Sequence, residues 1–302
     1  MISFKILTEE NKDGIVSALS KSLSDEERGE LCDLIFSFDL SDEDTEIAVC
    51  LFSGCALVRV FDMGRYFFLF PFEISEGADI CRAILAMGEY AMREEIPFSV
   101  CDVPCENLSA FSGFRHMDID AEDKECTTYR VRIKTECELM EKIPHIVGER
   151  VELRELLPED IPLYAELCKD ENVNKYWGYD YKEDAPDPSD EYFYENAAAE
   201  FSHGVAFSVA VSSGGEFIGE CTLYAFDGLG GCEFSIRLLQ KFHGNGLGSA
   251  ATELIFDLAR EIGLCRLRAK VSDKNLASVA MLSHFSPPTP APDGTLEFEF
   301  IL

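Results

Sequence analysis

Basic residues are scarce in this sequence of 302 residues, where 26 lysines and arginines face 57 aspartates and glutamates. A protein that binds nucleic acid or an anionic membrane surface needs a basic stripe to neutralise phosphates, and the sequence contains none. We therefore expect neither nucleic acid nor membrane as a partner. The excess of acid favours solubility and gives a slight preference for cationic substrates such as amines.

Long apolar runs, a secretory signal and metal-ligand spacings are also missing. The opening "MISFKILTEENKDG" carries acids where a signal peptide needs an apolar core, and no run approaches membrane-spanning length. Cys101 and Cys105 have no second pair or nearby histidine at ligand spacing. Most of the 12 cysteines lie in apolar runs, where a free thiol behaves as a small hydrophobic group. We predict a cytoplasmic protein without a structural metal.

The length suits two domains, and the two halves have nearly the same order of predicted elements. The second half reads as strand, two helices, three strands, helix, strand, helix, strand. Arg260 precedes Asn275 by 15 residues, and Arg93 precedes Asn107 by 14. We predict an α+β chain with domains at 1–135 and 149–302, joined by a connection at 136–148. Each domain has a mixed, mostly antiparallel sheet flanked by helices. An unrelated first domain is the alternative.

The stretch "HGNGLGSAATEL", His243 to Leu254, has glycines at every second position. It follows a predicted strand and leads into a helix predicted from Ser249 to Ile262. Such a loop turns successive N–H groups toward one point at the positive end of the helix dipole, which is typical of a phosphate site. A nucleoside triphosphate loop needs a lysine after its last glycine, and none is present. A dinucleotide fingerprint belongs to the first unit of a parallel sheet, whereas short hairpins precede this loop.

From this loop through "NLASVAMLSHF" the chain resembles the GCN5-related N-acetyltransferase (GNAT) family. The family signature is Arg or Gln, two residues, Gly, one residue, then Gly or Ala, and His243 departs from it at the first position. The segments "VELRELLPEDIPLYAEL" and "NVNKYWGY" are similar to the branch of ribosomal-protein N-terminal acetyltransferases. The resemblance covers about Glu149 to Phe285. It implies direct transfer of acetyl from acetyl-CoA to a primary amine of a small molecule or peptide. Together with the repeated order of elements, it predicts two GNAT-like domains.

The resemblance also implies which residues bind the cofactor. The loop amides hold the pyrophosphate, an asparagine and a serine contact the pantetheine arm, and backbone groups of the preceding strand pair with coenzyme A. The implied residues are Ile236, Leu238, His243, Gly244, Asn245, Gly246, Leu247, Gly248, Ser249, Asn275 and Ser278.

Acetyl transfer needs a neutral amine, a polarised thioester carbonyl and a proton for the leaving thiolate. Glu233, at the start of the strand before the loop, is our first candidate for the base; alternatively it caps an exposed strand end. Glu220, on the same strand face as Thr222, is the second candidate, or else a solvated edge charge. His284 is the candidate acid, because Leu282 stands where many family members have tyrosine; alternatively His284 is a packing residue.

Tyr176, Trp177 and Tyr179 form an aromatic cluster with acidic residues nearby. By resemblance this loop borders the acceptor site, and its ring faces suit a cationic amine. The alternative is a loop fixed to the core by its aromatic side chains. Peptide N-termini, polyamines, aminoglycosides and small amino compounds all remain open as acceptors.

The first half lacks an equivalent glycine loop. Its counterpart would be "FPFEISEGADI", where Glu73 and Glu76 would repel a pyrophosphate. We therefore predict a degenerate GNAT-like first domain that does not bind coenzyme A. The protein is predicted to be a monomer or homodimer. The rival function is a non-catalytic sensor or scaffold, suggested by His243, Leu282 and a missing Gly-Phe pair after the last short helix.

Overall fold

The computed structural model describes residues 4–20, 23, 25–37, 45–62, 66–73, 79–93, 99–104, 108–109, 111–121, 128–177, 181–183 and 185–302. The chain divides into two compact units, Met1–Lys134 and Thr135–Leu302. The predicted connection at 136–148 lies inside the second unit. Its Cys137 is buried in that unit's core, and Thr135 caps the short helix that follows it.

The first unit is a sheet with helices before and between its strands. Its sheet order is β1-β2-β3-β4-β5-β7-β6, and its neighbouring strands are antiparallel except for the parallel pair β4 and β5. Parallel neighbours need a crossover connection, which α3 supplies. The elements are β1 (Lys5–Ile6), α1 (Lys12–Ser20), α2 (Asp25–Phe36), β2 (Glu46–Phe52), β3 (Cys55–Asp62), β4 (Tyr66–Glu73), α3 (Ile80–Arg93), β5 (Ser99–Pro104), β6 (His116–Ala121) and β7 (Thr128–Lys134).

The second unit has the sheet order β14-β15-β13-β12-β11-β10-β9-β8. Only β12 and β13 run parallel among the pairs that the structure describes in this sheet. The elements are α4 (Glu136–Leu139), β8 (Ile146–Val147), β9 (Glu152–Glu155), α5 (Ile161–Lys169), α6 (Glu171–Asn174), α7 (Asp190–Ser202), β10 (Phe207–Ser213), β11 (Glu216–Tyr224), β12 (Gly231–Leu238), α8 (Leu247–Glu261), β13 (Arg266–Ser272), α9 (Leu276–Leu282), β14 (Thr289–Pro290) and β15 (Thr295–Ile301), with short 3₁₀ turns at Pro158–Asp160, Tyr181–Glu183 and Gln240–Phe242.

The two sheets have corresponding strand orders. Strands β9 to β15 follow one another across the second sheet as β1 to β7 do across the first, and β8 adds one strand at the edge. In each sheet a long helix, α3 or α8, connects the two strands of the parallel pair.

Helices cover both faces of the second sheet. Helix α8 buries Leu254, Ile255 and Leu258 in the core, as its apolar spacing predicts, whereas Ile262 is only partly buried at the helix end. Helices α5 and α7 form a separate apolar cluster on β10 and β11. None of the described helices is long and apolar enough to cross a membrane.

Candidate active site

The site begins where β12 and β13 separate. Strand β12 pairs with β11 from Glu233 to Leu238, but it pairs with β13 only from Gly231 to Glu233. Beyond Glu233 one edge of β12 therefore has no strand partner in the part of the chain that the structure describes. A strand edge without a partner presents N–H and C=O groups that a ligand can bind.

The free edge of β12 carries the peptide groups of Ile236 and Leu238. In an antiparallel pair, alternate residues hydrogen-bond to the neighbouring strand. The Leu239 N–H donates to the Ile218 carbonyl of β11, at 2.9 Å. The peptide groups of Leu239 and of every second residue before it therefore face β11. The peptide groups of the residues between them, including Ile236 and Leu238, thus face the edge of β12 that lies away from β11.

The glycine loop leads from this edge into α8. Gly244 and Gly246 have φ angles of +76° and +73°, which favour glycine, and Gly246 is the N-cap of α8. Because of this cap the helix begins at Leu247, two residues before the predicted start. The N–H groups from Gly244 to Ser249 find no acceptor among the described residues. Six consecutive donors at the positive end of a helix dipole form a site suited to an anion.

A cleft of about 490 Å³ runs along this loop. Its lining includes the end of β12, residues of the loop, and Asn275, Ser278 and Met281 of the α9 region. None of the described residues that line the cleft is acidic. In a chain with a net charge of −31, a cleft wall without carboxylates selects for an anionic ligand.

The predicted pantetheine contacts lie at the start of α9. Asn275 is the N-cap of α9, and its side-chain oxygen accepts a hydrogen bond from the Ser278 N–H at 3.3 Å. Both residues line the cleft. Gly248 brings α8 close to α9, because a Cβ there would lie 3.0 Å from the sulfur of Met281.

His243 has a role inside the protein at the position where the family signature has Arg or Gln. Its Nε2 lies 2.8 Å from the carbonyl oxygen of Leu238. This contact joins the loop to the end of β12 and occupies the Leu238 carbonyl. The Leu238 N–H remains at the free edge of β12.

Glu220 is not a solvated edge charge: it is 2% exposed. One carboxylate oxygen accepts hydrogen bonds from Tyr164, Ser208 and Thr222, and the other accepts from Arg237 at 2.7 Å. Burial by itself raises the pKa of Glu220, but the Arg237 charge and the hydrogen bonds outweigh it and leave that pKa lowered. A carboxylate held in this way is a poor proton acceptor and does not line the cleft, which argues against Glu220 as a base.

The other two predicted catalytic side chains also lie outside the cleft lining. Glu233 is partly buried at the point where β12 and β13 separate, level with Tyr224 on one side and Arg268 on the other. His284 is exposed on the turn after α9, so it is not a packing residue.

Two residues of the predicted aromatic cluster lie at the cleft. Tyr176 and Trp177 line the cleft, and Trp177 also lines a smaller cavity of about 260 Å³ beneath α5 and α6. The Arg237 guanidinium stacks on Trp177, 4.2 Å from the ring centroid, and the Lys175 ammonium lies 5.2 Å from that of Tyr176. Each ring thus already contacts a cation of the protein. Tyr179 lies outside the described residues.

The sequence interpretation missed Arg150 and Arg237. Arg237 connects Glu220, Asn174 and Trp177 beneath the cleft wall. Arg150 contacts the glycine loop from the start of the domain. Neither belongs to a local motif, and only the alternation of β12 places Arg237 opposite Glu220.

Residues 150–285 match the family model of the acetyltransferase (GNAT) domain. Among solved structures, RimJ of Mycobacterium smegmatis, in complex with CoA-disulfide, is 20% identical with a TM-score of 0.43, covering 52% of this chain and 85% of its own. The spermidine N-acetyltransferase of Vibrio cholerae, in complex with CoA and spermine, is 15% identical with a TM-score of 0.43, covering 51% and 96%. RimL, a ribosomal L7/L12 alpha-N-protein acetyltransferase with CoA, is 19% identical with a TM-score of 0.43, covering 54% and 98%. No curated protein matches.

The family match defines the class of this segment. Residues 150–285 match the GNAT acetyltransferase domain, and this match supports an N-acetyltransferase. Enzymes of this family use acetyl-CoA as the acyl donor.

Proposed function

We propose that the second unit transfers an acetyl group directly from acetyl-CoA to a primary amine of a small molecule or a peptide. The observation that supports this most strongly is the row of six N–H groups from Gly244 to Ser249, which opens into a cleft without carboxylates in a very acidic chain. The pyrophosphate of the donor binds this row in our proposal. The N–H groups attract the anionic pyrophosphate, whereas the acidic surface elsewhere repels it.

The rest of the donor extends along the free edge of β12. The pantetheine arm pairs with the peptide groups of Ile236 and Leu238, and Asn275 and Ser278 also contact it. This orientation directs the thioester toward Glu233, where the two strands meet. Glu233 takes the amine proton through a water molecule, since its side chain does not line the cleft. The amine nitrogen bonds to the acetyl carbon, the C–S bond of the thioester breaks, and the coenzyme A thiolate leaves and takes a proton from water.

Direct transfer is favoured over an acyl-cysteine intermediate. Burial raises the pKa of Cys221 and of Cys232 well above the ordinary value, so both thiols stay protonated. A thiol nucleophile reacts as the thiolate. Neither cysteine lines the cleft.

The first unit is, in our proposal, a degenerate duplicate of this domain. The corresponding strand orders support a duplication. Strand β4 corresponds to β12, and it ends at the exposed Glu73, where the second unit has its glycine loop. A carboxylate there repels pyrophosphate. Glu76 and Asn107 lie outside the described residues.

The acceptor is an amine that carries positive charge at neutral pH, since the acidic chain attracts cations. Thiol release from acetyl-CoA, measured with spermidine and with a peptide that has a free N-terminus, tests the function. The same peptide with an acetylated N-terminus is the control. We expect release with at least one free amine and none with the blocked peptide. Binding of acetyl-CoA without release for any amine favours the sensor function instead.

Replacing Glu233 by glutamine tests its role as base. We expect kcat to fall by roughly hundredfold or more, because the amine proton loses its acceptor, while the affinity for acetyl-CoA is unchanged. Glu299→Gln is the matched control. Arg268 of β13 lies between the two glutamates, with Glu233 opposite it on β12 and Glu299 opposite it on β15, and Glu299 is exposed. Equal kcat values for the two variants would remove Glu233 from catalysis.

A further inference from the structure

Arg150, at the start of the second domain, contacts the glycine loop. Its Nη2 donates to the carbonyl oxygen of Asn245 at 2.6 Å, and its Nη1 lies 3.1 Å from the position that a Cβ on Gly246 would occupy. The Arg150 backbone is tied to the end of β10, since its carbonyl accepts a hydrogen bond from the Ser213 hydroxyl at 2.9 Å. The contact with the loop therefore starts from a fixed point.

The charge of Arg150 is available to the loop. Arg150 forms no ion pair with the described residues, although acids outnumber bases by more than two to one in this chain. Every other arginine of the second unit has a carboxylate within 4 Å; these are Arg154, Arg237, Arg260, Arg266 and Arg268. A single guanidinium without a carboxylate thus lies against the predicted anion site.

The geometry of one peptide group connects Arg150 with the cleft. In a trans peptide the C=O and the next N–H point in opposite directions. Because Arg150 holds the Asn245 carbonyl, the Gly246 N–H points away from Arg150. Gly246 lines the cleft, whereas Asn245 and Arg150 do not. Arg150 therefore lies behind the loop, and the peptide that it holds directs its N–H toward the cleft.

We propose that Arg150 is a positioning residue for the pyrophosphate loop. It holds the peptide between Asn245 and Gly246 with its N–H toward the ligand, and it adds a positive charge behind the loop. A charge-assisted hydrogen bond to the carbonyl also polarises the peptide and strengthens the N–H as a donor. This inference rests on the proposed function, in which the loop binds the pyrophosphate of coenzyme A.

The test compares Arg150→Gln with Arg260→Gln by calorimetric titration with coenzyme A and with S-acetylpantetheine, which lacks the phosphates. Arg260 lies at the far end of α8 and is paired with Asp257, so its loss changes the net charge equally without touching the loop. We expect Arg150→Gln to weaken coenzyme A binding by roughly tenfold to thirtyfold and to leave S-acetylpantetheine binding unchanged. Its coenzyme A affinity will also depend less steeply on salt than that of the wild type.

Three outcomes separate the two proposals. If the wild type does not bind coenzyme A, the proposed function fails and the role of Arg150 fails with it. If the wild type binds but Arg150→Gln matches Arg260→Gln within twofold, only the role of Arg150 is overturned. If Arg150→Gln weakens the binding of both ligands equally, or leaves the salt dependence of coenzyme A affinity unchanged, Arg150 has a general folding role and the proposal is also overturned. Thermal unfolding of each variant checks that it is folded. Arg150→Lys should recover part of the affinity, because it keeps the charge.

Discussion

Replacing Glu220 by alanine is expected to lower the free energy of unfolding by about 3 to 5 kcal/mol. The substitution leaves the Arg237 guanidinium without its carboxylate while its side chain is only 10% exposed. It also removes the acceptor of the Tyr164 and Ser208 hydroxyls, which lie 2.8 and 2.7 Å from Glu220. A buried charge without its carboxylate and a buried Tyr164 hydroxyl without its acceptor keep their desolvation cost, which the native network offsets. Urea unfolding measures the change.

Glu216→Ala, on the same strand, is the control for Glu220→Ala. Glu216 is 52% exposed in its side chain and pairs with the equally exposed Lys241 at 2.9 Å. An exposed ion pair contributes at most about 1 kcal/mol, so this variant should unfold almost as the wild type does. If the two variants differ by less than about 1 kcal/mol, the Glu220 network does not hold this part of the sheet.

The pH dependence of stability follows from the same network. The pKa of Glu220 is lowered in the folded state by Arg237 and the surrounding donors, against the effect of burial. A lowered carboxyl pKa gives stability that is present above the unfolded-state pKa of glutamate and is lost as the pH falls through the folded-state value. Glu220→Gln should lack this loss on acidification, so its stability will change less between neutral and acidic pH than that of the wild type.

The sequence predicted those parts of the molecule that have a local pattern. The three successive strands β10 to β12, the apolar face of α8 and the alternating glycines each rest on a pattern of a few residues, and each lies where the pattern indicated. Pattern also placed Thr222 on the same face as Glu220, since the Thr222 hydroxyl donates to that carboxylate at 3.1 Å. Local periodicity carries this information because side chains alternate along a strand.

The sequence did not predict contacts between distant elements. The partners of Glu220 come from α5, β10 and β12, and no spacing in the chain brings them together. The solvated edge charge was therefore the wrong expectation: the strand is central, and Arg237 and α5 cover that position. Arg150 was missed for the same reason, since it precedes Asn245 by 95 residues.

Gly246→Glu is expected to weaken coenzyme A binding by at least about hundredfold. Gly246 has a φ of +73°, where an L-residue costs about 1 to 2 kcal/mol, so the new side chain distorts the loop. The added carboxylate also enters the row of N–H groups and repels the pyrophosphate. A Cβ at this position lies 3.1 Å from Arg150, whose guanidinium then pairs with the new carboxylate instead of holding the Asn245 carbonyl.

Gly294→Glu is the control that separates the effect of a carboxylate at the cleft from the backbone strain and added charge of any Gly→Glu substitution. Gly294 also has a positive φ, of +82°, and a Cβ there meets no atom within 4 Å, because the residue lies in the exposed turn between β14 and β15. The two variants share the backbone strain and the added charge, and only Gly246 lies at the cleft. Calorimetric titration with coenzyme A should therefore give wild-type affinity for Gly294→Glu. Wild-type affinity for Gly246→Glu as well would mean that the phosphates bind elsewhere, since no pyrophosphate can occupy the row of N–H groups beside a new carboxylate.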